Sequence, residues 1–177
     1  MNRRNAFAVF LPLLTVTLCF AQTLSPGPNT YRNRIDRFQI SLPDEWKVSE
    51  GGEATVTAVN NRGASINVAV SPYNGPEPTL RDLNQMLDIG AAQTKREYPT
   101  AVILEKGLRL LSGKRGPYQK FRVTYTGGGY SVTNITANYT VFKNARVYTI
   151  TTSAPLNEYR DIEPLLTTAV RSFTVLR

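Results

Sequence analysis

Residues 118–150, YQKFRVTYTGGGYSVTNITANYTVFKNARVYTI, change side with almost every step. In Tyr118–Thr126, Gln119, Phe121, Val123 and Tyr125 share one face, and Lys120, Arg122 and Thr124 share the other. Ser131–Phe142 repeats the alternation with Ile135, Ala137, Tyr139 and Val141 aligned. Lys143-Asn144 then reads as a short turn, and Val147–Thr152 returns with Tyr148 and Ile150 on one side. A period of two carried by β-branched and aromatic residues predicts strands, here the centre of an antiparallel sheet. Gly127-Gly128-Gly129 joins two of these strands and lacks the lysine and following helix of a phosphate loop, so it reads as a hairpin tip.

Working upstream, Val102–Leu111 is a further strand, connected to Tyr118 by a loop Ser112-Gly-Lys-Arg-Gly-Pro. Before it the period changes to that of a helix. Thr79 stands three residues before Asp82 as a variant capping box, and Leu80, Leu83, Leu87, Gly90 and Ala91 fall on one helical face as far as about Glu97. Earlier still, Ile66, Val68 and Val70 pair with Thr55–Val59 across the turn Asn60-Asn61-Arg62-Gly63. A polar Ser49–Glu53 loop precedes that hairpin, and Phe38–Leu42, closed by Pro43, is a first strand. Asp44-Glu45-Trp46 then turns the tryptophan back onto the core. Downstream, Tyr159, Ile162, Leu165, Leu166, Ala169, Val170 and Phe173 form a closing helix that Pro164 either starts or kinks.

The N-terminus carries an address. Arg3-Arg4, the apolar run Ala6–Phe20 and Ala21 have the layout of a signal peptide, with cleavage expected before Gln22. The run is shorter than the roughly 20 residues of a membrane span, and Leu18 stands before Cys19 where lipoprotein processing wants a small residue. The organisation expected is therefore a signal peptide at 1–21, a flexible linker at 22–30 rich in proline and glycine, and a single domain at 31–177. Export implies a periplasmic or extracellular location, or a thylakoid lumen in a photosynthetic source.

Composition narrows the chemistry. The sequence has no histidine and one cysteine, Cys19, which leaves with the signal peptide. Ser-His-Asp and Cys-His catalysis are thereby excluded within the chain, and the usual zinc ligands are missing. Asp44 and Glu45 are adjacent and diverge in extended chain, while Glu158, Asp161 and Glu163 complement the start of a helix dipole. No Asp-x-Asp spacing supports a calcium cage, and no Ser-x-x-Lys occurs. The reading is of a protein that is not an enzyme and carries no cofactor or metal. Asn134-Ile-Thr and Asn138-Tyr-Thr match glycosylation sequons but fall in mid-strand.

The net charge of +8 is concentrated. Residues 93–122 hold Lys95, Arg96, Lys106, Arg109, Lys114, Arg115, Lys120 and Arg122 against Glu97 and Glu105. If the loop at Ser112–Pro117 closes symmetrically, Arg109 faces Lys120, an opposition of like charges that a sheet does not need. Arg109, Lys114, Arg115, Lys120 and Arg122 are thus the candidate binding face for an anionic partner, weighed against an ordinary solvated strand face. In an exported protein that partner is a protein or an anionic envelope surface rather than nucleic acid.

The order of these segments carries a resemblance. Tyr31, Phe38-Gln-Ile-Ser-Leu-Pro, Trp46, the hairpin into Val147-Tyr148-Thr-Ile-Thr, Ser153-Ala-Pro and the helix ending Arg171-Ser172-Phe173 resemble the PsbP-like family. That family includes the extrinsic P subunit of photosystem II, bacterial DcrB-like proteins and Mog-type import factors. The resemblance spans about Tyr31 to Val175. It implies an α/β (α+β) fold, with an antiparallel sheet of about six to seven strands between two main helices as an αβα sandwich. Trp46 and Tyr148 become core positions. It also implies proteins that bind and stabilise other proteins. A carrier of a small apolar or lipid ligand, held between helices and sheet, is the alternative, and it would need an apolar cavity.

Overall fold

Tight hairpins set the architecture. The computed structural model describes residues 29–52 and 54–177. Its elements run β1 (Thr30–Asn33), β2 (Phe38–Ser41), β3 (Lys47–Glu50), β4 (Val56–Val59), β5 (Ser65–Pro72), α1 (Leu80–Glu97), β6 (Val102–Leu111), β7 (Lys114–Gly127), β8 (Tyr130–Lys143), β9 (Arg146–Pro155), α2 (Leu156–Ser172) and β10 (Thr174–Val175). Strands β6 to β9 are joined by three two-residue turns, Ser112-Gly113, Gly128-Gly129 and Asn144-Ala145, all with positive φ. That left-handed pair matches the twist of antiparallel strands. The last turn sits one residue later than expected, and Ala145 adopts φ 55° without the help of glycine.

Seven strands form one antiparallel sheet in the order β3-β4-β5-β9-β8-β7-β6, so the stretch 118–150 does occupy its centre. Helix α1 covers one face and α2 the other, which makes the expected αβα sandwich. On the α1 side, Gln119 donates to Thr94 at 3.0 Å, and Ala101, Phe121 and Val123 pack with Tyr98 and Ile103. On the α2 side, Val141, Tyr148 and Ile150 pack with Ile162, Leu166, Ala169 and Val170, and Trp46 rests on the edge of this larger core. The capping box is complete: the Thr79 side chain accepts from the Asp82 amide, and the Thr79 amide donates to Asp82.

A second, three-stranded sheet, β1-β2-β10, was not foreseen. It brings Phe38 beside Phe173 and Tyr148, with ring centroids 5.6 and 6.3 Å away. The Tyr148 hydroxyl donates to the Asp36 carbonyl at 2.9 Å, and Arg146 pairs with the Asp36 carboxylate at 2.6 Å.

Several expectations need correction. Ser49 and Glu50, read as loop, belong to β3, a short polar edge strand whose composition hides its pairing with β4. Thr30, assigned to the linker, opens β1, while the expected cleavage site and the rest of the linker as far as Pro28 lie outside the described residues. Lys114–Pro117, read as loop, is strand. Pro164 lies within α2, which runs unbroken from Leu156. Leu80 and Leu165 are exposed despite the helical period. Both sequon asparagines are committed to the sheet: Asn138 accepts from Thr151 at 2.9 Å, and the Asn134 side-chain oxygen is buried without a partner.

Candidate functional site

Among the described residues, strand β6 is one edge of the large sheet and pairs with β7 alone. Because the turn is the tight Ser112-Gly113, the register differs from that of a symmetric six-residue loop. Arg109 lies opposite Gly116 and Leu108 opposite Pro117, while Lys120 lies opposite Glu105 beyond an irregularity after Ile103. The expected Arg109–Lys120 opposition is therefore replaced by a neutral pair and an opposite-charge pair. A sheet gains from such a pair where it would lose from like charges.

The five candidate residues are divided rather than gathered. By register and alternation, Arg109, Lys120 and Arg122 share the α2 side of the sheet. Lys114 and Arg115 instead line an open depression of about 270 Å³ with Glu77, Pro78 and Leu83, beside the start of α1. Three of the five have acidic partners: Arg109 pairs with Glu105, Lys114 with Glu77, and Lys120 with Glu163 at 2.9 Å. Arg115 and Arg122 are exposed, and among the described residues neither forms an ion pair. The exposed apolar side chains Val102, Leu104 and Leu110 lie on β6 itself, and Tyr125, Tyr130 and Val132 lie near the β7–β8 tip.

Lys120 is the most enclosed of the five, and its surroundings explain its charge state. Its ammonium lies 4.6 Å over the Tyr159 ring. Tyr159 in turn donates to Glu163 at 2.9 Å. Burial works against the lysine charge, but the bonds to Tyr159 and Glu163 outweigh it and raise its pKa. The Lys120 hydrogen bond holds the Glu163 carboxyl below the usual carboxylate range. Nearby, Arg109 stacks 4.8 Å over Tyr118, whose ring lies 4.8 Å from that of Tyr139. Burial raises the pKa of both tyrosine hydroxyls. This is an interlocked aromatic and ionic network, with its charges satisfied inside the chain.

A second basic surface escaped the sequence reading. Arg32, Arg34, Arg37 and Arg177 line a depression of about 320 Å³ with Leu176. Arg177 reaches the others because β10 pairs with β2 and the Leu176 amide donates to the Arg37 carbonyl at 2.7 Å. The signal available was three arginines within Arg32–Arg37. Acidic residues elsewhere in the chain offset these arginines in the net charge, so composition does not disclose them.

Among the described residues, no three His, Cys, Asp or Glu side chains could hold a metal ion. No helix there is long and apolar enough to cross a membrane.

Comparison with known proteins places this geometry in a family. The profile of the PsbP family matches residues 26–175. The chain belongs to the PsbP family. The cyanobacterial PsbP (CyanoP) of Synechocystis sp. PCC 6803 is similar in structure, with a TM-score of 0.61 and 16% identity over 90% of this chain and 98% of that one. LpqN of Mycobacterium tuberculosis, described as involved in cell envelope biogenesis, gives 0.57 with 13% identity over 79% and 83%. The Saccharomyces cerevisiae Ran-binding protein Mog1p gives 0.55 with 12% identity over 86% and 97%. No curated protein matches the sequence. At these identities the shared property is the PsbP-like fold.

Proposed function

We propose that this PsbP-family protein is an exported, non-catalytic binding or assembly factor of the cell envelope, and that it docks an acidic protein segment along β6. The observation that carries the reading is the edge itself. Strand β6 presents ten residues, Val102–Leu111, with an outer side that no other strand of the described residues pairs, and it exposes Leu104 and Leu110. An open edge of this length offers main-chain hydrogen bonds to an incoming strand. Arg115 and Arg122 flank it as charges with no acidic partner among the described residues, while Arg109, Lys114 and Lys120 contribute field from paired positions. Membership of a fold that includes an envelope-biogenesis protein and a Ran-binding protein supports a binding role. The carrier alternative finds less support, because the depression beside Glu77 and Phe142 is open and of mixed lining, and the one at Arg32–Arg177 is open and lined by four arginines.

The test is affinity capture from cell envelope at low and high salt, followed by mass spectrometry, with wild type and the double variant Arg115→Glu/Arg122→Glu. The variant should lose salt-sensitive partners that wild type retains, with an unchanged melting temperature, because both side chains are exposed and unpaired. Identical partners and identical salt dependence would remove the β6 surface from consideration. Native mass spectrometry showing a co-purified lipid would move the reading to the carrier.

A further inference from the structure

The turn between β1 and β2 is rigidly built, yet it displays its apolar side chain to solvent. Asn33 accepts from the Asp36 amide at 2.7 Å across the turn, and Asp36 is tied to Arg146 and Tyr148 behind it. The Leu176 amide holds the Arg37 carbonyl at 2.7 Å. At the apex Ile35 is 83% exposed, the largest exposure among the apolar side chains of the described residues. Arg37 adopts φ 56°, a left-handed conformation that costs a non-glycine residue energy, so the turn bears strain in order to place an arginine there. Arg34 and Arg37 stand on either side of Ile35 in the turn and line one depression with Arg32 and Arg177, and among the described residues none of the four is ion-paired. The nearest acid in the turn, Asp36, is already neutralised by Arg146 at 2.6 Å.

We infer that this turn is an anionic-membrane docking site, in which Ile35 enters the headgroup region while the neighbouring arginines bind lipid phosphates. A protruding apolar residue flanked by basic ones is the pattern of interfacial membrane binding, in which shallow burial and attraction to anionic lipid add together. The depression of about 320 Å³ is open to solvent, so a lipid phosphate can reach its arginines from the bilayer surface. The site is separate from β6, so it stands whether or not a protein docks there.

The experiment uses the full chain with Cys19→Ser and Ile35→Cys, labelled at residue 35 with an environment-sensitive fluorophore. Vesicles of phosphatidylcholine alone are compared with vesicles containing about a quarter phosphatidylglycerol. Because the label reports the turn itself, association through the apolar run Ala6–Phe20, common to every variant, does not imitate the result. The expected outcome is a blue-shifted emission on anionic vesicles only, weakened by salt. Each basic residue beside an anionic bilayer multiplies partitioning about fivefold, so Arg32→Gln/Arg34→Gln/Arg37→Gln should lower it about 100-fold. Circular dichroism should show the same melting curve for the triple variant. Emission unchanged on anionic vesicles, or partitioning unaffected by the triple substitution, would overturn the assignment. So would a shift produced by an oligoglutamate peptide but not by vesicles, which would make the turn a protein-docking surface.

Discussion

Lys120 illustrates how a single candidate cation can be held by partners within its own chain. Its partners, Glu163 and the Tyr159 ring, come from α2, 39 or more positions away in the chain, so nothing near it in sequence discloses them. Two opposite pH dependences follow. The Glu163 carboxyl lies below its ordinary 4.5, so its stabilisation is present above that value and is lost as pH falls through the lower folded one. The Lys120 ammonium lies above its ordinary 10.5, so its contribution is full below that value and is lost as pH rises through the folded one. The stability difference between wild type and Lys120→Met, measured by denaturant melts across pH, should be greatest near neutrality and shrink at both ends. Half of the pair is solvent-exposed, so the difference should remain under about 1 kcal/mol. A flat profile would show that the pair adds nothing beyond packing. Tyr148 offers a larger contrast. It is fully buried and donates to Asp36, so Tyr148→Ala should cost on the order of 3–5 kcal/mol and Tyr148→Phe about 1. Thr124→Ala, which gives up a part-buried contact with Thr133, should cost under about 1 kcal/mol. Thr124 lies on the same side of the sheet as Tyr148 but near the exposed β7–β8 tip, so equal losses for Tyr148→Ala and Thr124→Ala in the same melts would contradict the difference in burial between them.

Among the elements, strands with a buried face were readable and strands without one were not. β7, β8 and β9 alternate because one of their faces is core, and α1 could be placed from its cap and its leucines. β3 exposes polar residues and looks like loop, and the start of β7, Lys114-Arg115-Gly116-Pro117, looks like a turn because glycine and proline usually mark one. In β7 the glycine has another use. A Cβ on Gly116 would lie 1.7 Å from the Thr140 carbonyl oxygen, so its absence lets β7 and β8 approach closely. Gly107, almost opposite on β6, has nothing within 4 Å of the same position. Gly116→Ala should therefore cost more than about 3 kcal/mol or prevent folding, whereas Gly107→Ala should be neutral or stabilising by up to about 1 kcal/mol. Thermal melts of the two variants provide the check, and comparable stability would mean that β8 can shift away without loss. The same misreading of the loop is what set Arg109 against Lys120. Once two residues make the turn, the partner of Arg109 moves from Lys120 to Gly116, an even shift that keeps each side chain on its face but ends the opposition of like charges.

At the level of the whole molecule, the sandwich was legible and the clasp that closes it was not. The strands and helices follow from periodicity and their layering from the resemblance to the PsbP-like family, but β1, β2 and β10 are two to four residues long, too short for periodicity to show. Their pairing joins segments more than a hundred residues apart, a fact that only the folded chain contains. This small sheet also creates the arginine surface, since it alone brings Arg177 to Arg37. Its energetic role can be tested by ending the chain at Phe173. That deletion removes Thr174 and Val175 from β2 and uncovers Phe38, which is now fully buried between Phe173 and Tyr31. Val175 is itself 4% exposed, and burial of one such side chain is worth about 1.5–3 kcal/mol before any gain from the ladder. Phe38 touches the Tyr148 ring at the centre of the larger core, so the loss should spread through both sheets rather than fray one end. The truncated chain should unfold in one cooperative transition, with stability lower by roughly 3–5 kcal/mol. Trp46 fluorescence and far-ultraviolet circular dichroism should report the same midpoint. An unchanged midpoint would make the small sheet an appendage, and two separate transitions would make it an independent unit; either result would contradict a single core shared by both sheets.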